Sequence, residues 1–364
     1  MQTIYQGISH LQETIEGAGK VLLVIDSSFP FLNIKDEVEG IKVPYIKFSD
    51  FMPNPLYEDV CKGVDLFRRA QCDTILAVGG GSSIDVAKCI KLYCKMSDEK
   101  LYLEQEYRDT GVKLIAIPTT AGTGSESTRY AVIYYDGKKQ SVTHDSIIPN
   151  VAILEPLVLK TLPLYQKKCT MLDALCQGIE SWWSVNSTDE SKKLSKQAVE
   201  TIIKWWHEYI FDNSDEAARQ IMMAANWAGQ AICITQTTAP HAFSYKITSL
   251  YGIPHGHAVA VCLPEIWDYM ILHMDKCTDI RGQKYLANIF VQIAQAMSAR
   301  TPIESIDFFH RMLYSLEIDN PTSGKNLNNR IEVLKNSVNP IRLKNNPVQL
   351  AVDDIAEIYE HIIK

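Results

Sequence analysis

The sequence predicts an α/β N-terminal half with a doubly wound, mostly parallel sheet, followed by an all-α C-terminal half. Three observations lead there. Short apolar, β-branched runs alternate with helical periodicity up to about Pro156; those runs are nearly unbroken by polar residues, as strands buried on both faces require; and beyond Pro156 the strong patterns repeat at helical period. At 364 residues the chain exceeds what one core serves, and "EPLVLKTLP" marks the change of texture, so the expected domains are 1–158 and 159–364.

In order, "KVLLVID" (20–26) reads as a strand, "NPLYEDVCKGVDLFRRAQ" (54–71) as a helix, and "DTILAVGGG" (73–81) as a strand running into a helix at "SIDVAKCIKLYCK". "VKLIAIPTT" (112–120) and "AVIYYDG" (131–137) repeat the strand type. The second half offers "LYQKKCTMLDALCQGIESWWS", "DESKKLSKQAVETIIKWWHEYI", "DEAARQIMMAANWAGQAICI" and "QKYLANIFVQIAQAM" as amphipathic helices.

Composition excludes several classes of function. Apolar residues at 46% and charged residues at 22% are those of a globular protein, not a disordered one. A net charge of −7 without a Lys/Arg block argues against nucleic acid and against a polybasic membrane anchor. No window reaches the ~18 apolar residues of a spanning helix. "MQTIYQGISH" lacks the basic-then-apolar order of a secretory signal, so a cytoplasmic protein is expected. The nine cysteines (61, 72, 89, 94, 169, 176, 233, 262, 277) contain no CxxC pair, which points to reduced thiols rather than disulfides or a cysteine-based zinc site.

Two loops have phosphate-binding character. "AVGGGSSIDVAK" puts three glycines and two serines where a buried strand turns into a helix. Glycine lets the backbone approach a phosphate closely, and a helix start offers unpaired N–H groups and a favourable dipole. A tight strand-to-helix turn without a ligand would use the same glycines. Asp85, one turn into that helix, is placed to reach back toward a ligand. "PTTAGTGSEST" (118–128) follows another apolar strand, and two such loops would meet at the crevice where open α/β sheets bind nucleotides. Asp26 ends the first strand, where an acid accepts from an adenosine ribose and repels a 2′-phosphate, so NAD(H) is expected over NADP(H).

A metal constellation lies in the helical half. "MLDALCQGIE" sets Asp173 and Gln177 four apart on one helix face, with Glu180 a further turn along. "APHAFSYKITSLYGIPHGHA" (239–258) supplies His241, His255 and His257 around a break at Gly252 and Pro254. Asp173, Gln177, His241 and His255 could surround one divalent ion, Fe2+ or Zn2+. Histidines hydrogen-bonded as scaffold and a surface Asp/Gln pair are the other reading of the same spacing.

"PNP" (53–55), "CDTILAVGGGSSIDVAK" (72–88), "IPTTAGTGSEST" (117–128), "LDALCQGIES" (172–181) and "HAFSYKITSLYGIPHGHAVAVCLP" (241–264) together resemble the iron-containing, group III alcohol dehydrogenase family. The resemblance implies an N-terminal dinucleotide domain, a helical metal-binding domain, and NAD(P)-dependent interconversion of an alcohol with an aldehyde or ketone in the cleft between them. It carries the family's metal aspartate onto Asp173 and its last two metal histidines onto His241 and His255. The remaining ligand, usually a histidine, is Gln177 here. Tyr245 stands where many members have a histidine near the nicotinamide, and Glu155 where Asp is usual.

For the cofactor the resemblance assigns Gly80, Gly81 and Ser82 to the pyrophosphate and Asp85 to the nicotinamide neighbourhood. Thr119, Thr120 and Thr123 form the second loop, Asp26 and Asn54 lie on the adenosine side, and Lys139 is placed near the ribose. It further implies a homodimer. A proton would reach the nascent alkoxide through the ribose, water, His257 or Tyr245, with His257 preferred because imidazole titrates near neutrality. Within the family the chain resembles the subgroup that reduces phosphonoacetaldehyde to 2-hydroxyethylphosphonate. Its anionic headgroup would need a cation, for which Lys246 and Arg129 are the candidates. A dehydrogenase of simple alcohols or diols, a non-redox lyase of the same superfamily, and a metal-free NAD sensor are the alternatives.

Overall fold

In the computed structural model, which describes residues 2–322, 327–338 and 340–363, the strands are β1 (Thr3–Gln6), β2 (Val21–Ile25), β3 (Tyr45–Phe48), β4 (Thr74–Gly79), β5 (Lys113–Pro118), β6 (Tyr130–Tyr135), β7 (Lys138–Thr143) and β8 (Val151–Leu154). Six of them form a sheet ordered β1-β8-β5-β4-β2-β3, parallel throughout. The central strands are buried along their length apart from Lys113, which accounts for their apolar runs. The chain leaves β2 outward to β3 and returns to β4 on the other side of β2. The carboxyl ends of β2 and β4 therefore flank a topological switch point, and Asp26 and the glycines follow these two strands.

"AVIYYDG" does not join that sheet. It becomes β6 of a separate antiparallel hairpin with β7. Asp136 and Gly137 form its turn at φ 50° and 67°, the left-handed pair a two-residue hairpin needs, so the chain reverses at once and no crossover remains for a parallel partner.

Helices α1 (Tyr57–Arg69) and α2 (Gly81–Tyr93) pack into the sheet's core with Val60, Val64, Ile84 and Ile90. The remaining long helices are α3 (Leu164–Trp183), α4 (Asp189–Ile210), α5 (Asp215–Thr235), α6 (Ala239–Tyr251), α7 (His255–Leu272), α8 (Gln283–Ala296), α9 (Pro302–Ser315) and α10 (Val352–Ile362). No strand follows Leu154 among the described residues. No helix there is long and apolar enough to cross a membrane. All nine cysteines are free thiols.

The chain divides into two compact units, 1–162 with 213–229, and 163–212 with 230–364. The expectation of one helical domain over 159–364 is corrected at 213–229, the first part of α5, which belongs with the sheet. A Cβ on Gly229 would lie 2.7 Å from Gly124 Cα, so the two backbones touch. Nearby, Asn226 Nδ2 donates to Glu126 Oε1 at 2.9 Å and to Ser127 Oγ at 2.7 Å. Periodicity reveals that a segment is helical, not which core it serves. In the second unit, Trp183 of α3 and Trp267 of α7 are buried edge to face, 5.5 Å apart, and set these helices against each other.

Candidate active site

In the sheet unit, β4 ends at Gly79, Gly80 caps the helix and α2 begins at Gly81 with no acid in its first turn. Its free amides and positive dipole end are therefore unscreened by the helix itself. A Cβ on Gly80 would lie 3.6 Å from Thr120 Cγ2, and one on Gly81 would meet Thr123 Oγ1 at 3.0 Å, so the two loops face each other across the glycines. Thr119 N–H donates to Gly79 O at 3.0 Å, continuing the β4–β5 ladder into the loops. Gly79, not singled out in the sequence, is the tightest point: its Cβ would stand 2.6 Å from Ser83 Cβ and 2.7 Å from Asp26 Oδ2.

Asp26 accepts from Ser28 N–H at 2.9 Å and Ser28 Oγ at 2.5 Å on one oxygen, and from Ser83 Oγ at 2.7 Å on the other. It thus ties the end of β2 to α2. Asn54, at φ 60°, lies 3.4 Å through its N–H from Ser82 Oγ. Asp85, expected to face a ligand, is engaged with the second loop and β6. It accepts from Ser125 Oγ at 2.6 Å and from Val132 N–H at 2.9 Å, and burial raises its pKa against the opposing charge of Lys88. Lys139, exposed on β7, also acts electrostatically on Asp85. Arg129 is paired with Asp145 at 3.1 Å and sits 5.8 Å over the Tyr130 ring.

In the helical unit, Asp173 of α3, His241 of α6 and His255 at the start of α7 each present one ligand atom, all within 4.8 Å of one another. The break read in "YGIPHGH" makes this possible: Gly252 closes α6 at φ 66° and Pro254 opens α7. His241 Nε2 lies 3.3 Å from Asp173 Oδ1, a buried oxygen that accepts no hydrogen bond, while Nδ1–H donates to Glu180 Oε1 in a very short contact. Glu180 Oε2 accepts from Thr238 N–H at 2.7 Å and Thr238 Oγ at 2.9 Å. A buried carboxylate costs several kcal/mol without partners, and here three donors supply them.

The electrostatics follow from this geometry. Burial would raise the Asp173 pKa, yet the close approach of His241 and the charges of His255 and His241 hold it below the usual range, with help from Gln177. Gln177 is therefore a partner of Asp173. Burial would lower the His241 pKa, but Glu180 and Asp173 push it up to about 10. Tyr245 stacks on His255 at 5.6 Å with the rings 3° apart. Lys246, the next residue, is half-buried and forms no ion pair among the described residues.

His257 differs from the expected relay. Its Nε2–H donates to Asp319 O at 2.7 Å and its Nδ1 pairs with Tyr165 OH at 2.8 Å, while burial lowers its pKa. Both nitrogens serve the scaffold of a neutral ring, so His257 is an anchor for α7. Glu180, which the sequence placed on the Asp173 face without a role, is the residue missed: it fixes the His241 tautomer and aims Nε2 at the cluster. Glu180→Gln is expected to weaken divalent-metal binding about 10- to 100-fold, measured by chelator competition. An unchanged affinity would refute the orienting role.

The donor set suits the metal the resemblance implies. An orphaned buried carboxylate oxygen and two imidazoles are borderline N/O ligands of the kind Fe2+ and Zn2+ accept. The sheet unit likewise suits a dinucleotide, with a glycine-lined helix start at a switch point.

Such a pairing is that of a metal-assisted, dinucleotide-dependent dehydrogenase. The chain belongs to the iron-containing alcohol dehydrogenase family: residues 3–156 match the family's own model and 168–363 that of the Fe-containing alcohol dehydrogenase C-terminal domain. It is 29% identical over 363 residues to long-chain-alcohol dehydrogenase 1 of Geobacillus thermodenitrificans, covering 94% of this chain and 89% of the relative. It is 29% identical over 289 residues to the phosphonoacetaldehyde reductase of Streptomyces viridochromogenes, covering 71% and 73%. The solved sulfoacetaldehyde reductase of Bifidobacterium kashiwanohense, in complex with NAD+, superposes with a TM-score of 0.87 at 24% identity over 99% of this chain and 96% of that one. Family membership makes the protein an enzyme of alcohol and aldehyde interconversion.

Proposed function

We propose that the protein reduces phosphonoacetaldehyde to 2-hydroxyethylphosphonate with NADH. The observation that carries this reading is Lys246, a half-buried cation without an ion-pair partner among the described residues, directly after the Tyr245 that stacks on His255. The kinship with a phosphonoacetaldehyde reductase supports it.

In this reading Asp173, His241 and His255 hold the metal, Glu180 orients His241, and Gln177 steadies Asp173. Gly80, Gly81, Ser82, Thr119, Thr120 and Thr123 cradle the pyrophosphate, and Asp26, Asn54 and Lys139 serve the ribose side. When bound, the ion supplies Lewis acidity toward the substrate oxygen and the nicotinamide supplies hydride. Tyr245, whose ring stacks on His255, serves as the proton source in place of His257. Lys246 takes the phosphonate by a charge-assisted hydrogen bond. A cytoplasmic homodimer belongs to the same reading.

Metal-loaded protein oxidising NADH should show its highest kcat/KM with phosphonoacetaldehyde among phosphonoacetaldehyde, butyraldehyde, lactaldehyde and dihydroxyacetone phosphate. Lys246→Ala should raise the phosphonate KM about 10- to 100-fold, the worth of one hydrogen bond to a charged group, and leave butyraldehyde unaffected. Equal losses on both would overturn the assignment. A second reading, an uncharged primary alcohol or diol, is favoured by the fuller coverage of the long-chain-alcohol relative and by the Arg129–Asp145 pair, which removes one expected cation. A preference for butyraldehyde would establish it.

A further inference from the structure

Ser244 lies one turn after His241 on α6 and is fully buried. Its hydroxyl has one proton, and Oγ donates it back to His241 O at 2.9 Å, the i−3 bond that serine makes inside helices. The same oxygen stands 3.5 Å from Nδ1 of His255, across the break at Gly252 and Pro254. With its proton already used, Oγ can only accept there, so the hydrogen belongs to His255 Nδ1 and the lone pair to Nε2. Tyr245 cannot make that choice. Its stacking, with the rings 3° apart, fixes the plane of the His255 ring, but a half-turn about the Cβ–Cγ bond keeps the plane and exchanges Nδ1 with a carbon.

We propose that Ser244 is the positioning residue of His255, setting its tautomer and ring orientation so that Nε2 faces the cluster, as Glu180 does for His241. The proposal rests on the reading of Asp173, His241 and His255 as metal ligands, and it holds whichever aldehyde is the substrate. The two orienting groups differ in charge. Glu180 is a buried carboxylate that already takes three donors, and a second one beside His255 would add an anion to a site that holds Asp173 as well. A hydroxyl orients the ring without that cost. The contact to the neutral oxygen is also the longer of the two, so His255 is the less tightly held imidazole, and its ring loses its aim when the contact is removed.

The test uses the full-length protein with Ser244→Ala, which removes the acceptor, Ser244→Thr, which restores it, and Ser249→Ala as a control. Ser249 makes the same kind of bond back to Lys246 O, but it is exposed near the far end of the helix. Ser244→Ala should weaken Zn2+ binding about 10-fold in chelator competition, the lower end for loss of a group that orients a ligand. It should also shift the visible absorption bands of the Co2+-saturated protein. Ser244→Thr should restore both, and Ser249→Ala should change neither. Heteronuclear NMR of histidine-labelled, Zn2+-loaded wild type should show both cluster histidines protonated at Nδ1, and protonation of His255 at Nε2 would overturn the proposal. Folded Ser244→Ala with wild-type Zn2+ affinity and Co2+ spectrum, or a weakened affinity matched by Ser249→Ala, would remove the role of Ser244 and leave the ligand set intact. Wild-type protein that binds neither ion would instead overturn the ligand set, and the proposal with it. Should Ser244→Thr not fold around its extra methyl group, the Ser244→Ala spectrum and the NMR measurement decide.

Discussion

Asp173→Asn is expected to leave a folded protein that no longer retains divalent metal through gel filtration and whose NADH-linked activity falls by roughly three orders of magnitude. Asp173 is the cluster's only carboxylate, and its Oδ1 is buried without a hydrogen bond, 3.3 Å from His241 Nε2. An amide is nearly isosteric but neutral, and it brings an N–H pair into a space that demands lone pairs. The same arrangement makes metal uptake pH-dependent. In the metal-free protein the His241 pKa is raised to about 10, so the ring is protonated at neutral pH and the ion must displace that proton. A raised histidine pKa stabilises the metal-free fold fully below the ordinary value and loses that contribution as pH rises through about 10. Apparent metal affinity should therefore climb by about tenfold per pH unit between neutrality and pH 9, with one proton released per ion. Chelator competition across that range measures it, and a flat profile would contradict the site as described.

Gly256→Ala is expected to be nearly as damaging without touching a ligand. Gly256 follows His255 at the start of α7, where α7 meets α3 backbone to backbone. A Cβ there would overlap the Cys169 carbonyl oxygen, lie 2.8 Å from its carbon and press on Asp173 Cβ at 3.0 Å. The first two atoms belong to the backbone of α3 and have no rotamer through which to yield, so the helices must part. Overpacking of this kind costs on the order of 1–3 kcal/mol. Here the separation also pulls Asp173 from His255, whose ligand atoms must stay within 4.8 Å. We expect a lowered Tm together with loss of bound metal, while NADH binding, proposed for the glycine and threonine loops, is preserved. Retention of metal at wild-type affinity would show that α3 and α7 accommodate the methyl group.

The apolar strands, the helical periods and the two strand-to-loop junctions could be read directly because each rests on short-range physics: side-chain alternation, backbone freedom at glycine, and the orphan amides of a helix start. Asp173, His241 and His255 were legible for a related reason, since a helix face and a Gly/Pro break announce themselves locally. One feature was local yet overlooked: the Asp136-Gly137 turn that diverts β6 into a hairpin is a short-range signal.

The rest depends on partners far along the chain. Glu180 becomes the keeper of His241 across 61 positions, and His257 becomes an anchor because Tyr165 and Asp319 occupy both its nitrogens from 92 and 62 residues away. Asp85 and Lys88 both bond to Ser125 Oγ, 40 and 37 positions away, and α5 sets Asn226 and Gly229 against the second loop. Such roles follow from which surfaces meet when helices and loops pack, and a pattern of residue types along one segment contains no record of what will lie opposite it.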